Sequence, residues 1–124
     1  MSNFVKFTHY GRKSRRTVTI RNNGFLYVPS GVMSKLNASG FRWAYIHIDE
    51  EKRILAVQFL ENKPDDNNHR AVVIEPSGIT IDINPVLKYF SLNKPEKKVL
   101  LDMEIKESMV VFSLDPCFKR PFGS

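Results

Sequence analysis

The strongest constraint on what this chain can fold into is a pattern written twice. A short alternating strand, a glycine turn, a second strand, a brief helix and a hairpin run through residues 17–59 and again through residues 71–114. Gly24 falls on Gly78 at an offset of 54, which lays Phe25-Leu26-Tyr27 on Ile79-Thr80-Ile81 and Ser30 on Asn84. Val32-Met33 meet Val86-Leu87 at the same offset. One inserted residue then makes the offset 55, placing Tyr45-Ile46-His47-Ile48 on Leu100-Leu101-Asp102-Met103, and Leu55 and Val57 on Val110 and Phe112. Few identities survive. What repeats is the order of apolar pattern, turn glycine and helix start, as expected of a duplicated unit that cannot bury its apolar face alone.

Local chemistry supports each element. Thr17-Val18-Thr19-Ile20-Arg21 alternates with period two and is rich in β-branched residues, so it predicts a half-buried strand. Asn22-Asn23-Gly24 supplies residues that tolerate positive φ, and Phe25–Val28 returns as the partner strand. Ser30 is placed to cap a helix of about two turns that Gly40 would end, and Asn84-Pro85 opens its counterpart near Pro85–Leu92. Trp43–Ile48 and Ile54–Phe59 flank the charged turn Asp49–Arg53, and the second copy offers strands at Ala71–Ile74 and Gly78–Ile83 and a hairpin at Val99–Leu114. Leu60–Arg70, with Lys63-Pro64-Asp65-Asp66-Asn67-Asn68-His69, reads as an exposed linker between the copies. The expected fold is therefore α+β: duplicated β-β-α-β-β units forming antiparallel sheets with two short helices, in a single domain spanning residues 1–124. A basic N-terminal arm, residues 1–16, precedes it, with an alternating run at Phe4–Tyr10 that suits an edge strand. A tail, residues 115–124, is expected to trail over the surface because two prolines break it.

Charge is distributed unevenly. Residues 1–48 hold eight of the 19 Lys and Arg and no Asp or Glu, leaving 11 basic against 13 acidic residues in the remainder. A basic end of this kind attracts polyanions, of which nucleic acid is the commonest in a cytoplasm, although it also serves as a solvated surface. The single cysteine, Cys117, excludes an internal disulfide and a cysteine cage for zinc. No apolar run is long enough for a membrane helix, and the start Met1-Ser2-Asn3-Phe4 lacks the layout of a signal peptide, so a soluble cytoplasmic protein is expected.

Facing separates the copies. In the second, Ile79, Ile81 and Ile83, with Leu101, Met103 and Ile105, form the inward set. Transferred to the first copy, that phase makes Phe25, Tyr27, Ile46, Ile48, Leu55 and Val57 core, and turns Thr19, Arg21, Leu26, Val28, Trp43, Tyr45, His47, Ala56 and Gln58 outward. An outer face with Trp and Tyr beside Arg21, Arg42 and the basic run Arg12-Lys13-Ser14-Arg15-Arg16 suits unpaired bases stacked on rings with phosphates on the cations. It equally suits burial by a second protein chain, because interfaces are enriched in Trp, Tyr and Arg. A one-residue shift of phase would instead put Trp43 and Tyr45 in the core and leave only the basic run outside.

Over Gly24–Leu36, Trp43–Phe59, Gly78–Phe90 and Val99–Leu114, the chain resembles small phage and bacterial proteins related to the transcriptional positive-cofactor-four and Whirly group. The resemblance lies in topology and hydrophobic pattern. It implies units of four antiparallel strands followed by a helix, paired about a twofold axis within a chain or between two copies in a homodimer, and binding of single-stranded DNA. Trp43–Leu92 reads as one such unit, and the flanking segments supply the other. No binding residue is implied by the resemblance, and the acidic outward positions Asp82, Asp102 and Glu104 depart from a surface that binds phosphate on both halves.

Catalytic chemistry is not indicated. His9, His47 and His69 are scattered without Cys or carboxylate at ligand spacing, so neither a metal nor a cofactor is expected. Asp49-Glu50-Glu51 and Asp65-Asp66 read as solvated turns. No phosphate loop or nucleophile turn is present. The expected function is a non-enzymatic nucleic-acid-binding module that prefers single-stranded DNA, with RNA as a further partner class, acting in transcription, replication or recombination. Arg12, Lys13, Arg15, Arg16, Arg21 and Arg42 would contact phosphate, and Trp43 and Tyr45 would stack on bases. The alternative is a protein-interaction module, such as a phage-type inhibitor that binds a host protein through the same basic aromatic face.

Overall fold

Alternating apolar and polar residues are converted into eight antiparallel strands that close on themselves. The computed structural model of the protein describes residues 16–118. The expected edge strand at Phe4–Tyr10, the expected phosphate contacts of Arg12, Lys13 and Arg15, and tail residues 119–124 lie outside the described residues. In chain order the elements are β1 (Thr17–Ile20), β2 (Phe25–Pro29), α1 (Ser30–Lys35), β3 (Trp43–Asp49), β4 (Ile54–Leu60), β5 (Arg70–Glu75), β6 (Gly78–Asp82), α2 (Asn84–Tyr89), β7 (Val99–Lys106), β8 (Met109–Ser113) and α3 (Asp115–Phe118). The strands form a closed barrel in the order β1-β2-β6-β5-β3-β4-β8-β7. Exchanging β1 with β5, β2 with β6, β3 with β7 and β4 with β8 leaves every neighbour relation of this ring unchanged. Within Trp43–Leu92, strands β4-β3-β5-β6 form a contiguous arc of the ring followed by α2, and closure leaves that arc no free edge of its own.

Because neighbouring strands are antiparallel, the barrel has two mouths with different furniture. One holds α1, the starts of β1 and β3, and the β5–β6 turn, where the Ser30 amide donates to the Ser77 carbonyl at 2.9 Å. The other holds the β1–β2 and β3–β4 turns with α2 and α3. There the Ile83 amide donates to the Gly24 carbonyl at 3.3 Å, and the Tyr89 hydroxyl donates to Glu50 at 2.8 Å.

The inside of the barrel is apolar. Ile20, Leu26, Ile81 and Val72 are register partners in a single line across four strands, and all are buried. Leu55, Val57, Phe59, Leu101, Met103, Val110 and Phe112 fill the facing wall. The inward phase expected for β2 is corrected: Leu26 and Val28 are fully buried, and Phe25 and Tyr27 lie on the outside. The cause is that Gly24 and Gly78 are not equivalent. Gly24 is a turn residue at φ +84°, whereas Gly78 is the first residue of β6, where an added Cβ would stand 2.3 Å from the Val28 carbonyl oxygen. Matching the pairs Ile20↔Leu26 and Ile74↔Ile79 places β2 on β6 at an offset of 53, and a one-residue slip reverses a strand's faces. Ile48, expected in the core, is exposed near the end of β3, and Thr80, expected outside, is buried.

Both longer helices end in the same way. The amides of Leu36, Asn37 and Ala38 donate to the carbonyls of Val32, Ser34 and Met33, and those of Phe90, Ser91 and Leu92 donate to Val86, Lys88 and Leu87. Asn37 and Ser91 take positive φ, completing two Schellman caps. This corrects the expected stop at Gly40. It also corrects the expected starts, because neither Ser30 nor Asn84 makes a side-chain cap; the Asn84 amide group bonds Asp82 and the Asn23 carbonyl instead. The start of the tail is likewise not a trailing segment. Leu114 is fully buried, and α3 brings the Phe118 ring under the Arg53 guanidinium at 3.9 Å and edge-on to Phe90 at 5.8 Å.

The facing of β2 is open to measurement. Leu26→Ala removes a side chain packed on all sides and is expected to cost about 2–5 kcal/mol in chemical denaturation. Leu100→Ala, on the outside of β7, is expected to stay within about 0.5 kcal/mol of the parent.

Candidate functional site

The outer face of β3 gathers the aromatic and ionisable groups that the sequence points to. Ala44 is fully buried, so Trp43 and Tyr45 on either side of it project outward, as their alternation predicts. His47 continues the row; its ring lies 6.2 Å from that of Tyr45, and its Nε2 is 3.0 Å from Gln58 Oε1 on β4. Arg42 immediately precedes the strand, and its carbonyl accepts the Val72 amide at 2.8 Å.

The face is not bare. β3 pairs with β5 only through Trp43↔Ala71 and Ala44↔Arg70, and beyond them the linker between β4 and β5 lies over its outer side chains. Its conformation is set locally, with the Asn68 amide donating to Asp66 Oδ1 at 3.0 Å in an Asx turn. The Tyr45 hydroxyl donates to Asp66 Oδ2. His69 places its ring edge-on to Trp43 at 5.3 Å, with Nδ1 2.9 Å from the Asp66 carbonyl oxygen, and the Lys63 ammonium stands 5.5 Å above the Trp43 ring centroid. The expected free linker is thus a docked segment. Lys63, Asp66 and His69 belong to the site, although their polar, proline-containing context gives the signal of a loop.

The other basic residues are placed differently. Arg16 stands at the start of β1, four strands from β3 in the ring of eight, which is the largest separation it allows. Arg16 before β1, Lys35 at the end of α1 and Arg42 before β3 nevertheless belong to the α1 end of the barrel. Arg21 is engaged elsewhere: it stacks 4.6 Å over the Tyr27 ring and forms a two-pronged pair with Glu75 at 3.1 and 3.2 Å. Glu61, after β4, and Glu107, between β7 and β8, temper the charge of the α1 mouth. At the α2 mouth, a cleft of about 540 Å³ is floored by Ile20, Leu87, Leu92 and Phe118 and edged by Lys97 and Lys98; no residue expected at the site lines it. Among the described residues, no three His, Cys, Asp or Glu side chains are grouped to hold a metal ion, and no helix is long and apolar enough to cross a membrane.

The linker contacts set two titrations. The Tyr45 hydrogen bond is the main cause that lowers the Asp66 carboxyl below its ordinary 3.8, with help from the Asn68 amide and His69. The same bond raises the Tyr45 hydroxyl above its ordinary 10.0, aided by desolvation and the charges of Asp66 and Asp65. A lowered carboxyl stabilises docking above pH 3.8 and loses its contribution as the pH falls through the lowered value, whereas a raised phenol contributes below pH 10.0 and fails as the pH rises through the raised one. Emission from Trp43, the single tryptophan, is therefore expected to report undocking at these two extremes of pH, and Asp66→Ala should show the undocked emission at neutral pH. No family model, curated protein or solved structure matches the chain, so function has to be read from the geometry of this face itself.

Proposed function

We propose that the protein is a nucleic-acid-binding module that prefers single strands and engages them with the outer face of β3 and the basic groups of the α1 mouth. The observation that carries this reading is the placement of Trp43. It is held on the outside of a rigid strand, next to Arg42 and beneath Lys63, at the mouth where Arg16 continues into the basic residues 1–15. A ring on a rigid strand is a platform that every base can stack on, and neighbouring cations serve the backbone without reading sequence. The acidic outer positions Asp102 and Glu104 lie on β7, away from this face, which favours one binding side. The role is binding rather than catalysis, in a cytoplasmic setting where polyanions are abundant.

We also take the chain to be a duplicated β-β-α-β-β unit. The exchange symmetry of the ring supports this, as do the two helix caps, whose hydrogen bonds recur at an offset of 54. On this view one copy kept a polar exterior and the other acquired the aromatic one.

Titration with oligo-dT tests the proposal. Binding should quench Trp43, and log K should fall linearly with log salt, by about 0.7 per phosphate contact. Arg42→Ala is expected to reduce that slope by about one contact, and Trp43→Leu, followed with a labelled oligonucleotide, to cost about 1–3 kcal/mol. Absence of binding at low salt, together with a stoichiometric complex with another protein, would favour the protein-interaction alternative.

A further inference from the structure

We propose that Asp66 occupies the position of a backbone phosphate: the linker of residues 61–69 is an acidic strap that fills the aromatic face of β3, and a nucleic-acid strand reaches Trp43 and Tyr45 by displacing it. This rests on the nucleic-acid reading above and adds to it a phosphate subsite and a means of control.

The strap puts a ring and an anion of this chain where a nucleotide would bring its own. The heteroaromatic ring of His69 stands edge-on to Trp43, occupying the space a stacked base would need, and the Asp66 carboxylate accepts the Tyr45 hydroxyl. Trp43 and Tyr45 are alternate residues on one side of a strand, about 6.6 Å apart along it, so ring and anion are presented at a fixed spacing. The Asn68 amide donates to Asp66 Oδ1 at 3.0 Å and aims the carboxylate, and the same oxygen is 3.7 Å from His69 Nδ1. Lys63 also rides on the strap and covers Trp43 with a cation, which becomes available to a phosphate once the strap lifts.

The strap is also built to release. Its ends are fixed by β4 and β5, but residues 61–69 contribute no strand pairing, and all except Pro64 and His69 are exposed. What holds it is a few solvent-facing polar and ring contacts, the kind that open locally without disturbing a core. A strap of this kind lowers apparent affinity by the fraction of time it is closed. It also discriminates, because a ligand has to replace both the ring contact and the anion contact to displace it.

The test compares Asp66→Ala with Asp65→Ala. Both remove one negative charge from the same linker, but only Asp66 holds Tyr45. With oligo-dT, Asp66→Ala is expected to bind about tenfold more tightly than Asp65→Ala for a strap closed roughly nine-tenths of the time. In the parent protein, saturating oligo-dT should raise hydrogen exchange at the Asn68 and His69 amides, whereas simple binding beside an immobile linker would lower it. Equal affinities of the two variants, or unchanged or slower exchange at saturation, overturn the strap while leaving nucleic-acid binding intact. Failure of the parent and of both variants to bind oligo-dT overturns the strap together with the reading beneath it. Circular dichroism of each variant confirms that the barrel is retained.

Discussion

The barrel depends on the seam between β3 and β5. It is the shortest ladder between strands not joined by a turn, with two register pairs and the Val72-to-Arg42 backbone bond, yet without it the ring would be an open sheet with two unpaired edges. Closure places the apolar line Ile20–Leu26–Ile81–Val72 opposite the wall of β4, β8 and β7, and the two join in one buried cluster. The seam also explains where the site is. Past Ala44, β3 has no ladder partner on its β5 side, and the linker that has to cross from β4 to β5 is drawn over the outward side chains of that strand.

Much of the element order was legible because its signals are local: period-two alternation, β-branched residues, and Asn and Gly at turns. Facing was legible wherever a small or apolar residue alternates with polar ones, as Ala44 does between Trp43 and Tyr45. It failed on β2, whose five residues Phe25–Pro29 are all apolar or aromatic and carry no alternation of their own. Its phase was borrowed from a glycine that serves a turn in one half and a close strand contact in the other. Ring closure was not legible either, since the pairings β1–β7, β3–β5 and β4–β8 join distant segments and leave no mark in either partner alone.

The site was legible in half. Trp43, Tyr45 and Arg42 follow from strand phase and charge. Lys63, Asp66 and His69 do not, because a run of Lys, Pro, Asp, Asn and His has the composition of a solvated loop, and its docking depends on a tyrosine 21 positions earlier. Arg21 illustrates the converse. Counted as a free cation, it is a neighbour of Glu75 and a cover for Tyr27, a half-buried pair still in contact with solvent and worth about 0.2–1 kcal/mol, which removes one charge from the expected surface.

The alternation of strand directions fixes where the chain comes and goes. It enters at Arg16 through the mouth that holds α1 and is last described at Phe118 in the mouth that holds α3. The barrel is therefore a rigid spacer, and segments appended at the two ends start from opposite poles separated by the length of a strand, roughly 20 Å. Chain that continues from Arg16 and chain that continues from Phe118 therefore leave the barrel at different mouths, with the eight strands between them.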